Sequence, residues 1–394
     1  MPVIFRRLIK PFGLRHTTPD FAKLVSAVRG AEEREQGFRL DVLAVFVREP
    51  LLRFGFVLAG SLFLAGVADA QFAPNYVPPP HQLSAARLVV VVNEDSDLSV
   101  KLGAYYQRAR GVPDKNMIRV RIPNYSKTLS PAAFADLARE IDEKLRPDID
   151  AVLMVWTAPY AVDCNSITYA VAFGFDPDIC QGACGKSKLS PLFDGGSQRV
   201  VSGKRKIRLA MLLPTISFDL GKELIDRGVV SDGSMPEGSA YFLTTSDPVR
   251  NSRAEQYPRT QQLSAPHLAL KTVRAEFIRD KSDVMFYFIG AAKVEHLFSL
   301  KFLPGAVGDH LTSYGGDLLG DYQMSSLKWI EAGATASYGT VSEPCNAWQK
   351  FPNPTVLLRH YLAGDTVIEA YWKSVALPAQ GLFIGEPLAA PYRH

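Results

Sequence analysis

Leu88–Pro113 reads LVVVVNEDSDLSVKLGAYYQRARGVP. Its first five residues are an unbroken apolar, largely β-branched run, the pattern of a strand covered on both faces. From Leu98 to Arg110 the period changes. Leu98, Leu102, Tyr105, Tyr106 and Ala109 fall on one side of a helix, and Gly111-Val112-Pro113 ends it. Working outward, Ile118–Ile122 alternates apolar and basic residues as a second strand. Ser130 is an N-cap with Pro131 at the first helical position, for a helix reaching about Leu145. Ala151–Trp156 is a third buried strand. The order β-α-β-α-β predicts an α/β domain with a mostly parallel sheet flanked by helices. The turn NEDSDLS has no glycine and places three acids where a pyrophosphate would sit, which excludes nucleotide binding there.

Further strands are expected at Leu209–Leu213, Ala240–Thr244, Val284–Ile289, Leu300–Leu303, Ala334–Val341 and Gly381–Ile384. Helices are expected at Phe218–Arg227, Leu268–Arg279, Gln323–Glu331, Thr355–Leu362 and Thr366–Ser374. Residues 157–206 read as an irregular, cysteine-containing insertion whose one apolar run is ITYAVAFGF. Residues 246–266, with Arg250, Arg253 and Arg259, read as a polar surface loop. No repeat of fixed period is present.

The chain has 394 residues, 47% hydrophobic and 21% charged, with a formal net charge of +4. Ten of the 44 basic and seven of the 40 acidic residues lie in the first eighty, leaving a nearly neutral body of 34 against 33. A neutral body without a basic stripe argues against nucleic acid as a partner. Arg48 and Arg53 precede the apolar run FGFVLAGSLFLAGV (Phe54–Val67), which Ala68-Asp69-Ala70 follows. That is the pattern of a secretory signal peptide, too short for an easy membrane span. It predicts segments 1–46 (an extension that is either disordered or outside the true product, which would then start at a codon such as that of Val47), 47–70 (signal), 71–83 (Pro-rich spacer) and 84–394 (one α/β domain). The mature chain is then expected from Gln71, without a membrane span, in the periplasm or outside the cell.

The stretch Pro304–Cys345, PGAVGDHLTSYGGDLLGDYQMSSLKWIEAGATASYGTVSEPC, concentrates the chemistry. An acid and a base (Asp309, His310) are followed by two hydroxyls (Thr312, Ser313) and two glycines (Gly315, Gly316). Polar residues past apolar strands are where α/β proteins build sites. Cys345 also follows a strand, and a Cys/His pair at strand ends is the layout of a nucleophilic site. Asp309 beside His310 reads either as an orienting acid or as a turn cap, since neighbours on a strand point apart. Gly315-Gly316 reads either as a turn or as an anion-binding nest. Asp309, His310, Thr312 and Ser313 are expected to line the main pocket. There is no G-x-S-x-G.

The four cysteines, Cys164, Cys180, Cys184 and Cys345, are an even set, which favours disulfides in an exported protein. Their pairing stays open: Cys180 with Cys184, or these two with Cys164 and Cys345. No histidine near Cys180 and Cys184 completes a zinc site. Asp163, Asp176 and Asp178 match no calcium loop and read as surface acids. Trp156, Trp329, Trp348 and Trp372 read as core residues, with Trp348 and Phe351 open to a groove-lining role. No metal and no cofactor are expected.

VVVVNEDSDLSVKLGAYYQRARGVP, GAVGDHLTSYGG, GATASYGTVSEPC and GLFIGEPLAAPY resemble an uncharacterised family of exported proteins, over roughly Leu88–Tyr392. Its members occur in bacteria that carry the PEP-CTERM/exosortase sorting system. The chain lacks a Pro-Glu-Pro sorting tail, so the resemblance implies a resident of the envelope. A fainter resemblance, in element order and the closing GLFIGEPLAAP, is to caspase/gingipain-like cysteine peptidases. Those enzymes use a His-Gly after one strand and a Cys after the next. Here His310 precedes Leu311, and Cys345 ends Glu-Pro-Cys.

Three functions are weighed. The first is an exported protein that binds a peptide, protein or glycan ligand on a caspase-like fold without catalysis. The second is a peptidase-like cysteine hydrolase using Cys345 and His310. The third is an envelope assembly factor linked to polysaccharide export or protein sorting.

Overall fold

The computed structural model describes residues 83–394 except 123–125, 183, 185–186, 196–200, 203–204, 260–262 and 264–265. The expected extension, signal peptide and spacer, apart from Leu83 at the spacer's end, lie outside the described residues. Ten strands form the main sheet: β1 (Leu88–Asn93), β2 (Met117–Val120), β3 (Ala151–Val155), β4 (Leu209–Leu213), β5 (Gly238–Thr244), β6 (Leu268–Arg274), β7 (Val284–Gly290), β8 (Phe302–Leu311), β9 (Ala336–Thr340) and β10 (Gly381–Gly385). Their order across the sheet is β6-β5-β7-β8-β9-β10-β4-β3-β1-β2. β9 and β10 pair antiparallel, and β10 touches β4 at the single pair Ile384–Leu212. The other neighbours are parallel. The α/β class and the mostly parallel sheet read from Leu88–Trp156 are what the chain adopts.

The helices are α1 (Asp97–Arg110), α2 (Pro131–Lys144), α3 (Ile167–Phe173), α4 (Phe218–Ser231), α5 (Leu327–Glu331), α6 (Pro354–Leu362) and α7 (Val367–Ser374). Local chemistry sets their ends. Ser96, Ser130, Ser166 and Ser217 each accept a backbone N–H as N-caps, and Gly111 closes α1 in the left-handed conformation at φ 64°. Consecutive residues of β7 show that helices cover both faces. The Phe286 ring meets Tyr361 of α6 at 5.9 Å, whereas the Tyr287 ring meets Trp329 of α5 at 5.2 Å. No helix among the described residues is long and apolar enough to cross a membrane.

Three expectations are corrected. Leu268–Arg279 is not helical. Leu268–Arg274 is the edge strand β6, whose residues Leu268, Leu270 and Val273 turn inward while Ala269, Lys271 and Arg274 face solvent. Lysine and arginine along an edge also discourage further strand pairing. The strand before the polar motif is not Leu300–Leu303. β8 runs on to Leu311, with an irregular register between Val284/Phe286 of β7 and Phe302/Val307, so Asp309 and His310 lie on the strand itself. Finally, Arg253 is not a surface residue; it is completely buried.

Candidate functional site

The segments that follow the parallel strands meet along one edge of the sheet. Lys127, past β2, donates to the Leu319 carbonyl at 3.1 Å. Tyr160, past β3, hydrogen-bonds Asp317 in the segment past β8, and burial raises the Tyr160 hydroxyl with Asp317 adding to the effect. Ser342, past β9, donates to the Cys164 carbonyl at 2.7 Å. Sites in α/β proteins gather at such an edge, and the motif Asp309–Gly316 runs directly toward it.

Side chains alternate along β8, so Asp309 and His310 face opposite sides of the sheet. His310 faces α5. Its Nδ1 accepts from Trp329 Nε1 at 2.9 Å, which leaves Nε2–H to donate to the Met324 carbonyl, also at 2.9 Å. The ring is fully buried, and burial pushes its pKa down to about 4 against the favourable pull of the Met324 carbonyl. Gly308, two residues earlier on the same face, makes room for the indole: a Cβ there would collide with the Trp329 ring. Asp309 faces the other layer, where its Oδ1 lies 2.5 Å from Arg253 Nη1, both residues fully buried. Arg253 also donates to the carbonyls of Ile289 (3.3 Å) and Asp309 (3.2 Å) and sits 5.2 Å from the Phe288 ring. Burial raises the Asp309 carboxyl, and the Arg253 charge opposes that rise. The orienting-acid expectation is therefore corrected, because the sheet itself separates the acid from the base.

The rest of the motif is tied inward. Thr312 Oγ1 donates to Gln323 Oε1 at 2.8 Å, and the Tyr314 N–H donates to the same oxygen at 2.8 Å. Arg250 Nε reaches the Thr312 hydroxyl at 3.3 Å. The Ser313 carbonyl accepts from Thr340 Oγ1 at 2.8 Å, and the Ser313 side chain is half-buried. Gly316 N–H donates to the Thr340 carbonyl at 2.9 Å, and the Gly315 carbonyl accepts from Ser326 at 2.8 Å. Neither glycine has left-handed backbone, so the anion-nest reading is corrected. They are small because β9 passes close by: a Cβ on Gly316 would stand 2.5 Å from the Gly339 carbonyl oxygen. Asp309, His310 and Thr312 are buried and Ser313 is half-buried, and none of the four, expected to line a pocket, is among the lining residues of the cleft described below.

The cysteines pair as Cys164–Cys180 and Cys184–Cys345, with Cα separations of 5.5 and 5.2 Å. Both lie within the range a disulfide spans. Cys345 is exposed, but its sulfur is bonded to Cys184, so as a free nucleophile it does not stand in this oxidised form. Asp163, Cys184, Cys345 and Asn346 all adopt positive φ, between 50° and 71°, an uncommon conformation for residues with a Cβ. Asp163, Cys164 and Cys180 lie close enough together to suggest an ion, yet the two sulfurs are bonded to each other and offer no thiolate. The residues do not fit a zinc site.

A cleft lies elsewhere, in the segment read as an irregular insertion. It holds about 490 Å³ and is lined by Tyr169, Phe173, Phe175, Asp176, Lys188 and Leu189, among others. α3 supplies Tyr169 and Phe173 one turn apart, with rings stacked at 5.2 Å. Asn165 clamps the next segment by accepting from the Asp176 N–H (3.0 Å) and donating to the Asp176 carbonyl (2.9 Å). Cys164–Cys180 holds it from both sides. Asp176 is only 6% exposed. Its Oδ1 caps the turn Pro177–Cys180 by accepting from the Asp178 N–H at 3.1 Å, while Lys188 Nζ lies 3.1 Å from Oδ2. Burial, then the Asp176 charge, pushes Tyr169 up to about 12. The sequence reading named Asp176 only as a surface acid, and it passed over Tyr169, Phe173, Trp329, Gln323 and Arg253 as site or partner residues. The i,i+4 aromatic pair on ITYAVAF was the one available signal.

No protein-family profile matches the chain, and no curated protein matches it. Solved structures similar to it at low identity include the following three. One, described as a protease, has a TM-score of 0.41, 12% identity and 79% coverage of each chain. The Arg-specific cysteine proteinase gingipain R (RgpB) has a TM-score of 0.40, 12% identity and 80% coverage of each. The complex of Porphyromonas gingivalis RgpB pro- and mature domains has a TM-score of 0.41 and 11% identity, covering 77% of this chain and 79% of that one.

Proposed function

We propose that this chain is an exported ligand- or partner-binding protein that does no thiol chemistry. One observation carries this reading: the Cys345 sulfur is bonded to Cys184 while both His310 ring nitrogens are engaged, by Trp329 and by the Met324 carbonyl. A cysteine hydrolase needs a thiolate and a base able to take its proton. Neither is free here. Two disulfides suit an oxidising compartment, in keeping with the signal-peptide pattern at Arg48–Ala70. The test is alkylation of the exported protein without reductant, followed by mass measurement, together with a fluorogenic peptide assay before and after mild reduction. The reading expects no alkylated cysteine, the pairs Cys164–Cys180 and Cys184–Cys345, and no hydrolysis in either state. Hydrolysis that appears on reduction and is lost in Cys345→Ala would replace it with the cysteine-hydrolase reading.

A further inference from the structure

The cleft beside α3 joins a nearly buried carboxylate to aromatic walls, and a side chain of the protein already shows what that combination accepts. The two Asp176 oxygens have separate roles. Oδ1 caps the Pro177–Cys180 turn, whereas Oδ2 has the Lys188 ammonium at 3.1 Å as its polar partner among the described residues. Lys188 itself is 71% exposed along its side chain, and its ammonium lies 4.0 Å from Asp178 Oδ2. A solvent-exposed chain of four methylenes thus lays an ammonium on a carboxylate that the fold holds rigidly. The Asn165 clamp and the Cys164–Cys180 bridge fix that carboxylate before any ligand arrives, which lowers the cost of binding. Tyr169, Phe173 and Phe175 add aromatic surface to the same cavity of about 490 Å³, and aromatic faces attract organic cations.

We infer that this cleft binds an alkylammonium group, a primary ammonium on a short aliphatic chain, and that Lys188 is the internal occupant that such a ligand displaces. The inference deepens the binding reading above by naming a ligand class and a place for it, whose lining includes neither Cys345 nor His310. A displaced Lys188 returns to water readily, because most of its side chain is already solvent-exposed. The Asp176 carboxylate then exchanges one ammonium for another, and the ligand's alkyl chain gains contact with the aromatic walls.

The test is an NMR titration of the disulfide-intact mature protein with n-butylammonium, with n-butanol as the neutral control and tetramethylammonium as a cation that cannot donate a hydrogen bond. The expected result is saturable shifts at Tyr169, Phe173 and Asp176 with n-butylammonium, weaker ones with tetramethylammonium and none with n-butanol. Lys188→Met removes the competing ammonium and should tighten n-butylammonium binding by about fivefold, since one partner of that ion pair lies in water and such pairs are modest. Asp176→Asn keeps the capping oxygen and should weaken binding at least tenfold, whereas Asp178→Asn should change it less than twofold. Equal effects of the two aspartate variants, equal binding of n-butanol, or no tightening in Lys188→Met would overturn the inference. Should Asp176→Asn not fold, the Lys188→Met arm decides alone. Failure of n-butylammonium to bind would remove the ligand class and leave the non-catalytic reading standing. Only Cys345-dependent hydrolysis removes that reading.

Discussion

The motif Asp309–Gly316 and the cleft around Asp176 both set polar groups among apolar residues, and they use those groups in opposite ways. In the first, every partner comes from the scaffold: Trp329 and Met324 for His310, Arg253 for Asp309, Gln323 for Thr312. In the second, Oδ2 of a cleft-lining aspartate is buried, and its polar partner among the described residues is the ammonium of a long, exposed lysine chain. Buried polar groups are nearly always paired, and the identity of the partner separates scaffold from site. A partner from a rigid neighbouring element makes a strut. A partner on an exposed chain is replaceable.

The comparison breaks most visibly if the struts prove dispensable. Asp309→Ala leaves the Arg253 guanidinium buried without its counter-ion, and removing one partner of a buried pair costs about 3–5 kcal/mol. Urea denaturation of the variant reads this directly, and a loss under about 1 kcal/mol would mean that Asp309 is not part of the scaffold. His310→Ala comes next. It orphans the Trp329 N–H and the Met324 carbonyl and leaves a cavity, for an expected loss of about 2–4 kcal/mol. A functional histidine at an open site would cost less.

The same histidine sharpens the contrast through pH. Its folded pKa of about 4 lies below its ordinary value of 6.5. Above pH 6.5 the ring is neutral in both states, and its contribution is complete. As pH falls from about 6.5 to about 4 the unfolded chain takes up a proton that the folded chain refuses, so stability declines, by about 3 kcal/mol in all. Below the folded value the loss levels off. The difference between wild-type and His310→Gln stability curves should therefore shrink over that acid window; parallel curves would place His310 in a solvated setting. The smallest stability change belongs to the other region. Asp176→Asn keeps its cap and should cost under about 1 kcal/mol by the same denaturation, since amide and carboxylate cap about equally well.

What could be read from the chain alone follows the same division. Leu88–Val92, Ala151–Trp156 and Val284–Ile289 announce themselves because strands buried on both faces need unbroken apolar runs. Ser130-Pro131 and Gly111 mark helix ends through local hydrogen bonds and backbone angles, which need no distant partner. The edge strand β6 was hidden, because it buries only part of one face and its mixed Leu268–Arg274 pattern also fits a helix. Arg253 was hidden for a different reason. Its burial depends on Asp309, on two carbonyls and on the Phe288 ring, all at least 35 residues away in sequence. For Asp309 and His310 the opposing directions on a strand were foreseeable, but the strand's extent was not. The cleft was the least legible part: Asp176 becomes a site residue only when Asn165 and the Cys164–Cys180 bridge hold the Pro177–Cys180 turn beside α3 and Lys188 pairs with it.

The central claim is that His310 is a neutral strut of the scaffold and not a base waiting for a thiol. Nitrogen-15 NMR of the imidazole in the folded protein tests it most directly. The account predicts an unprotonated Nδ1 and a protonated Nε2, unchanged from pH 8 down to about pH 5 and unaffected by reduction of Cys184–Cys345. A ring that titrates near its ordinary value of 6.5, and shifts when Cys345 is freed, would contradict it.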